Sequence, residues 1–273
     1  MTATTNFVAI ERQGPVGLIT MNRPERHNAF DAEFIATLTE ALRSMEGEDG
    51  VRVVVLSAAG ASFSAGADVN WMKRAAGYTK DENQRDAMAL GALMRTLDHL
   101  RKPTVARVQG AAYGGGVGLV ACCDIAIGIQ SATFALSEAR LGLVPAVISP
   151  YVVAAIGARA TRRFCLTAER FDAAEAFRLG LLHDLAMDED ALDEKVGTCV
   201  DALLLGGPAA QKEAKELIRA VTGRPITSEL IQDTAERIAR VRTSPEGREG
   251  IAAFLEKRRP SWIPADPEPP AGG

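Results

Sequence analysis

Four glycines crowd the head of one apolar segment: Gly114, Gly115 and Gly116 in a row, then Gly118, in GAAYGGGVGLVACCD. Glycine in a helix costs about 1 kcal/mol relative to alanine, so these positions need backbone without a Cβ. A second small-residue stretch, FSAGAD, sets Ala65, Gly66 and Ala67 in a loop ahead of Asp68. A glycine turn that opens a helix presents free N–H groups at the positive end of the helix dipole. Two such groups, one from each loop, can hold a thioester oxygen as it becomes an enolate. One donor of this kind contributes roughly 3 kcal/mol to a transition state.

Two other chemistries fit parts of the pattern. Gly116 to Ala121 reads G-x-G-x-x-A, a dinucleotide fingerprint, but the next strand, DIAIGI, ends in Gln130 and Ser131 where an acidic residue should hold the ribose. SFSAG is close to a nucleophile elbow, but Ser62 stands where G-x-S-x-G requires glycine, and no histidine is evidently paired with it. Close packing of a glycine-rich helix on a sheet accounts for two of the glycines and not for the run. The oxyanion reading alone uses both loops.

The surrounding elements must position them. FVAIERQ and VGLITMN flank Gly14-Pro15 as a hairpin. Asp31 caps a helical pattern, AEFIATLTEALRSME. VRVVVLSAAG, KPTVARVQG and DIAIGI read as strands, with ASFSAGADVNWM as a loop and a helix over about 81–99. Two stretches share one grammar of strand, glycine-containing turn and helix, which predicts a parallel α/β architecture. From about Asp172 the pattern turns helical. We expect an α/β core over 1–200, a helical subdomain over 201–263, and a Pro/Gly-rich tail over 264–273 that does not pack.

The 273 residues carry a net charge of −4, which gives no nucleic-acid footprint. No apolar run reaches the roughly 20 residues a bilayer needs, and the first residues lack a signal-peptide pattern. Four cysteines without C-x-x-C spacing and three histidines without ligand spacing predict buried thiols in a reducing compartment, the cytoplasm, and no metal.

In VGLITMNRPERHNAF, FSAGADVNWM, KPTVARVQGAAYGGGVGLVACCDIAIG, ATFALSEARLGLVP and GREGIAAFLEKRR, taken in order, the chain resembles the enoyl-CoA hydratase/isomerase (crotonase) family. The resemblance implies a spiral of ββα units with a helical C-terminal region, usually as a trimer or a dimer of trimers. It implies an acyl-CoA thioester substrate with no cofactor beyond the coenzyme A it carries. By motif position, Ala67 and Gly115 would supply the oxyanion N–H groups. Arg26, His27, Ala29, Ala65, Asp68, Val69 and Gly114 would line the coenzyme A site, and Lys257 would approach its phosphate, unless it is a plain surface lysine. Two carboxylates normally divide the hydration chemistry. Glu138 matches the second, and Gly118 stands in place of the first.

One carboxylate can hydrate a 2-enoyl-CoA if it does both jobs, or move a proton from Cα to Cγ in a 3-enoyl-CoA. The run LGLVPAVISPYVVAAIGARATRRFCLTAERFDA resembles the methylglutaconyl-CoA and isohexenylglutaconyl-CoA hydratase-like branch, which acts in leucine or acyclic terpene breakdown. This favours a hydratase, with an isomerase or a poorly active CoA-binding relative as alternatives. Ala146 would then offer an N–H to the catalytic water. A carboxylated substrate would want a cation, Arg140 or His27, and Tyr113, Trp71 and Met72 could wall the acyl pocket.

Overall fold

The computed structural model describes residues 2–4 and 7–263. The tail at 264–273 lies outside the described residues. The chain divides into two compact units, Met1–Val200 and Asp201–Gly273.

The first unit begins with β1 (Thr2–Thr4), β2 (Val8–Gln13), β3 (Val16–Met21) and α1 (Ala32–Gly47). Next come β4 (Val53–Ala58), β5 (Ser62–Ser64), α2 (Val69–Ala75) and α3 (Lys80–Asp98). The following turns are β6 (Thr104–Val108), β7 (Ala111–Tyr113) and α4 (Gly115–Cys122), then β8 (Ile125–Ile129), β9 (Thr133–Ala135) and α5 (Ser149–Thr167). It closes with β10 (Arg170–Asp172), α6 (Ala173–Leu179), β11 (Asp184–Ala186) and most of α7 (Glu189–Leu205). The second unit holds the end of α7, then α8 (Pro208–Val221), α9 (Ser228–Thr243) and α10 (Pro245–Leu255). None of the described helices is long and apolar enough to cross a membrane.

A seven-stranded sheet runs in the order β1-β2-β3-β4-β6-β8-β11. Its first three strands pair antiparallel and the rest parallel. A four-stranded sheet runs β10-β9-β7-β5. From β4 the chain therefore spirals: β4-β5-α2, β6-β7-α4 and β8-β9-α5 each place one strand in the large sheet, one in the small sheet, and then a helix. This is where the structure departs from the simple strand-turn-helix expectation. The strands β5 and β7 are only three residues long and lie inside stretches that look like loops. VVVL of β4 is wholly buried, as a parallel strand covered on both faces must be. Helix α5 also breaks where its sequence predicts continuity, because Gly157 takes φ 75° and ψ 156°.

Asn28 locks the entry to the site. It is fully buried with φ 51°, a left-handed conformation that asparagine tolerates. Its Oδ1 accepts from Arg23 N–H at 2.8 Å, and its Nδ2 donates to the carbonyls of Ala59 and Ser62, each at 2.9 Å. Gln109 adds bonds from Nε2 to the carbonyls of Ala58 and Gly60, at 2.8 and 2.9 Å. Together these side chains fix the 58–64 segment that leads into FSAGAD.

Replacing Asn28 by alanine strands buried partners and leaves a strained backbone, so a loss of about 3 kcal/mol is expected. Asn28→Gly strands the same partners but accepts the left-handed conformation, and should recover about 1 kcal/mol of that loss. Urea denaturation of the two variants checks both values.

Candidate active site

Ala67 lies between β5 and α2, and one parallel bridge sets its orientation. Phe30 donates its N–H to the Gly66 carbonyl at 2.7 Å, and Asp68 donates to the Phe30 carbonyl at 2.8 Å. Ala67 sits between these bonds, so its own N–H faces the other side. Among the described residues that N–H has no hydrogen-bond partner, and Ala67 lines a cavity of about 390 Å³. Gly115 opens α4, where the helix offers its N–H no acceptor. It too lacks a partner among the described residues and lines the same cavity.

Each glycine of the run meets a different neighbour. Gly114 takes φ 48° and ψ −117°, donates to the Ala135 carbonyl at 2.9 Å, and leaves a Cβ only 2.9 Å from Glu138 Oε1. A Cβ on Gly115 would meet the Phe30 ring, and one on Gly116 would stand 2.7 Å from the Ser64 carbonyl oxygen. Gly66 in the other loop would place its Cβ 2.9 Å from the Tyr113 carbonyl oxygen. The two loops thus touch through bare backbone, which brings both unpaired amides to one cavity.

Glu138 stands in a 3-10 turn, Ser137–Leu141, closed by Gly142 at φ 71°. Leu143 donates its N–H to the Glu138 carbonyl at 3.0 Å. The carboxyl lines the cavity, and its Oε2 is buried with no partner among the described residues. Burial pushes its pKa above the ordinary glutamate range, against a smaller opposing pull from its own backbone N–H. Gly118, where a first carboxylate would stand, faces no open space. A Cβ there would collide with the Ile148 side chain, with Ile148 Cβ at 2.9 Å and Met94 Cε at 3.2 Å.

The other expected site residues fall into two groups. Ala65, Gly114, Trp71, Met72 and Ala146 line the cavity. The Ala146 N–H is not free for a water, however, because it donates to the Val144 carbonyl at 2.8 Å in a tight turn. Asp68 is a buried clamp. Its Oδ1 caps α2 by accepting from Asn70 and Trp71 N–H at 2.8 and 3.1 Å, and its Oδ2 binds Arg26 at 3.0 Å. Burial would raise its pKa, but the Trp71 N–H, the Arg26 guanidinium and the Asn70 N–H outweigh that and hold it low. Ala29 is buried, with its carbonyl accepting from Arg23 at 3.2 Å. Val69 is exposed.

Tyr113 does not wall the cavity, since its hydroxyl pairs with Thr133 Oγ1 at 2.9 Å and Arg170 lies over its ring. His27 is exposed on Ser62 Oγ, and Arg140 is exposed, so neither brings a cation to the cavity. Lys257 is exposed in the second unit, just past α10, with φ 53°.

The sequence reading missed a whole wall. Asn83, Asp86, Ala87 and Leu90 of α3 line the cavity at i, i+3, i+4 and i+7. That stripe was visible in the sequence, but it is too polar to mark a core face. The second missed wall is Leu141, Leu143 and Val144, which are exposed at the cavity.

Two unpaired amides beside one carboxyl of raised pKa can stabilise an oxyanion and move a proton. Set on a spiral of ββα units, this defines a crotonase-fold protein. The chain matches the enoyl-CoA hydratase/isomerase family model over residues 11–264, and it belongs to that family. A solved enoyl-CoA hydratase of Shewanella pealeana is 44 % identical, with a TM-score of 0.91, over 94 % of this chain and 96 % of that one. AtuE of Pseudomonas aeruginosa is 35 % identical, with a TM-score of 0.90, over 94 % and 99 %. The short-chain-enoyl-CoA hydratase of Clostridium acetobutylicum is 28 % identical over 93 % of this chain and 96 % of its own.

The packing at Gly118 has a direct test. Gly118→Glu should not restore a two-carboxylate site. It should destabilise the fold by about 3 kcal/mol or more, from overpacking together with a buried charge. Gly118→Glu combined with Ile148→Ala opens that space, and its melting temperature should lie above that of the single variant.

Proposed function

We propose that the protein adds water across the 2,3 double bond of an enoyl-CoA thioester, with Glu138 as its sole acid and base. The observation that carries this reading is the pair of unpaired amides, Ala67 and Gly115, sharing a cavity with the Glu138 carboxyl, whose Oε2 has no partner among the described residues. The amides would take the charge that develops on the thioester oxygen. Glu138 would accept a proton from water as hydroxide adds to Cβ, then return that proton to Cα of the enolate. It ends as it began, and no cofactor beyond the coenzyme A of the substrate is required.

A second reading is favoured by specific features. Gly118 has no room for a second carboxylate, and the Ala146 N–H is already committed. With neither available to hold a water, Glu138 is equipped for a proton transfer from Cα to Cγ, which would isomerise a 3-enoyl-CoA. A methylglutaconyl-type substrate fits less well, because among the described residues no lysine, arginine or histidine lines the cavity to meet its second carboxylate. Coenzyme A recognition by Arg26 and Lys257, and assembly as a trimer or dimer of trimers, belong to the same proposal and rest on the family resemblance.

Product mass after incubation with a 2-enoyl-CoA and a 3-enoyl-CoA decides between the two. Gain of one water supports hydration, and unchanged mass with a moved double bond supports isomerisation. No turnover of either rejects both. Glu138→Gln should lower kcat by about 10²- to 10⁴-fold. Because the carboxylate is the working base and its pKa is raised, kcat/KM should rise with pH along an acid limb centred above the ordinary glutamate range.

The same shift bears on stability. A carboxyl whose folded pKa is raised favours the native state at low pH, and that advantage disappears as pH climbs through the folded pKa. Glu138→Gln should therefore melt higher than the parent protein at pH 8, with the difference closing toward pH 4. Calorimetry at the two pH values reads it.

A further inference from the structure

The α3 wall of the cavity carries polar groups that the chemistry at Glu138 does not use. Asp86 Oδ2 accepts from Trp71 Nε1 at 2.9 Å, which ties α2 to α3. Asp86 Oδ1 has no partner among the described residues, and the carboxylate lines the cavity. One turn nearer the helix start, Asn83 also lines it. Its Nδ2 donates to the carbonyls of Tyr78 and Thr79, each at 3.2 Å, so its side-chain oxygen is left as an acceptor. The polar part of this wall therefore offers acceptors and no donors, within apolar surroundings of Met72, Ala75, Ala87 and Leu90.

Among the described residues, Asp86 makes no hydrogen bond to Ala67, Gly115 or Glu138, and it faces the cavity from α3. An acyl chain whose thioester sits at the two unpaired amides would extend along this wall.

We propose that Asp86 is a specificity residue that accepts a hydrogen bond from a hydroxyl on the distal acyl chain. This rests on the enoyl-CoA reading and names the substrate class within it: hydroxylated medium-chain acyl thioesters. A hydroxyl brings one donor, which matches the single unpartnered oxygen of Asp86, whereas an ammonium brings three donors to an otherwise apolar wall. A terminal carboxylate would meet like charge and no donor.

The test measures binding separately from turnover. Isothermal titration compares octanoyl-CoA with its terminally hydroxylated counterpart, both saturated and therefore unreactive. Turnover of the matching pair of 2-enoyl-CoA thioesters follows. The protein should favour the hydroxylated ligand by about tenfold, the size of a hydrogen bond to a charged group. Asp86→Leu should abolish the preference. Trp71→Phe removes the α2–α3 tie but keeps the carboxylate, and should retain it. Asp86→Asn, with its oxygen still on Trp71, turns a donor to the cavity and should weaken the preference.

Equal binding of the two ligands by the parent protein overturns the proposal. So does loss of the preference in Trp71→Phe to the same degree as in Asp86→Leu, which would make Asp86 a structural tie alone. Tighter binding of a terminally aminated chain than of the hydroxylated one also overturns it. Binding preference without turnover of either enoyl thioester would instead sink the hydratase reading and leave the recognition intact.

Discussion

Everything at the site depends on one narrow contact, the parallel bridge between Phe30 and Ala67. Two backbone bonds, Phe30 to Gly66 and Asp68 to Phe30, fasten one loop to the next. They also leave the intervening Ala67 N–H facing away from the pairing. An amide that a strand would normally engage is thereby held rigid yet unpaired. The same Phe30 ring occupies the space a Gly115 side chain would need. One residue therefore orients the unpaired Ala67 amide through its backbone and sets the clearance at Gly115 through its side chain.

An unpaired amide and an unpartnered carboxyl oxygen are costly to keep, since each lost hydrogen bond in a buried place costs about 1–3 kcal/mol. The compensation sits one layer behind. Asn28, Gln109 and Asp68 are all buried, and each binds two or more backbone groups of the loops or the first turn of α2. Asp68 also binds Arg26 and lies within 3.9 Å of the buried Arg23. These groups touch the loops from behind and leave the cavity face to the unpaired groups. Pre-organisation of this kind is what lets donors act without reorganising during reaction.

Much of this was legible in the residues, for identifiable reasons. Glycines in a row carry a strong signal, because a helix penalises them and only close approach of something else explains them. The structure sets Ala67, Gly115 and Glu138, each picked out by its motif position, around a single cavity. Other features leave no local trace. Strands of three residues, such as β5 and β7, are too short for alternation to register. That Tyr113 turns toward Thr133, and that the Ala146 N–H bonds to Val144, depend on backbone geometry that side-chain identity does not encode. The α3 stripe was present in the sequence, but its mixture of Asn, Asp, Ala and Leu resembles a solvated face until α2 is placed against it.

Gly118 shows how packing decides what a position beside the site can hold. Removing a first carboxylate would leave a void, and voids in a packed interior are destabilising. Here Ile148 and Met94 occupy the volume that a Gly118 side chain would need, so the position is filled by apolar packing. That packing and the state of Glu138 meet at one cavity, which Ile148 and Glu138 both line. Burial raises the pKa of Glu138, so the carboxyl, once ionised, is a stronger base than a solvated glutamate. A second carboxylate close by would raise it further by like-charge repulsion, whereas apolar packing at Gly118 adds no such charge.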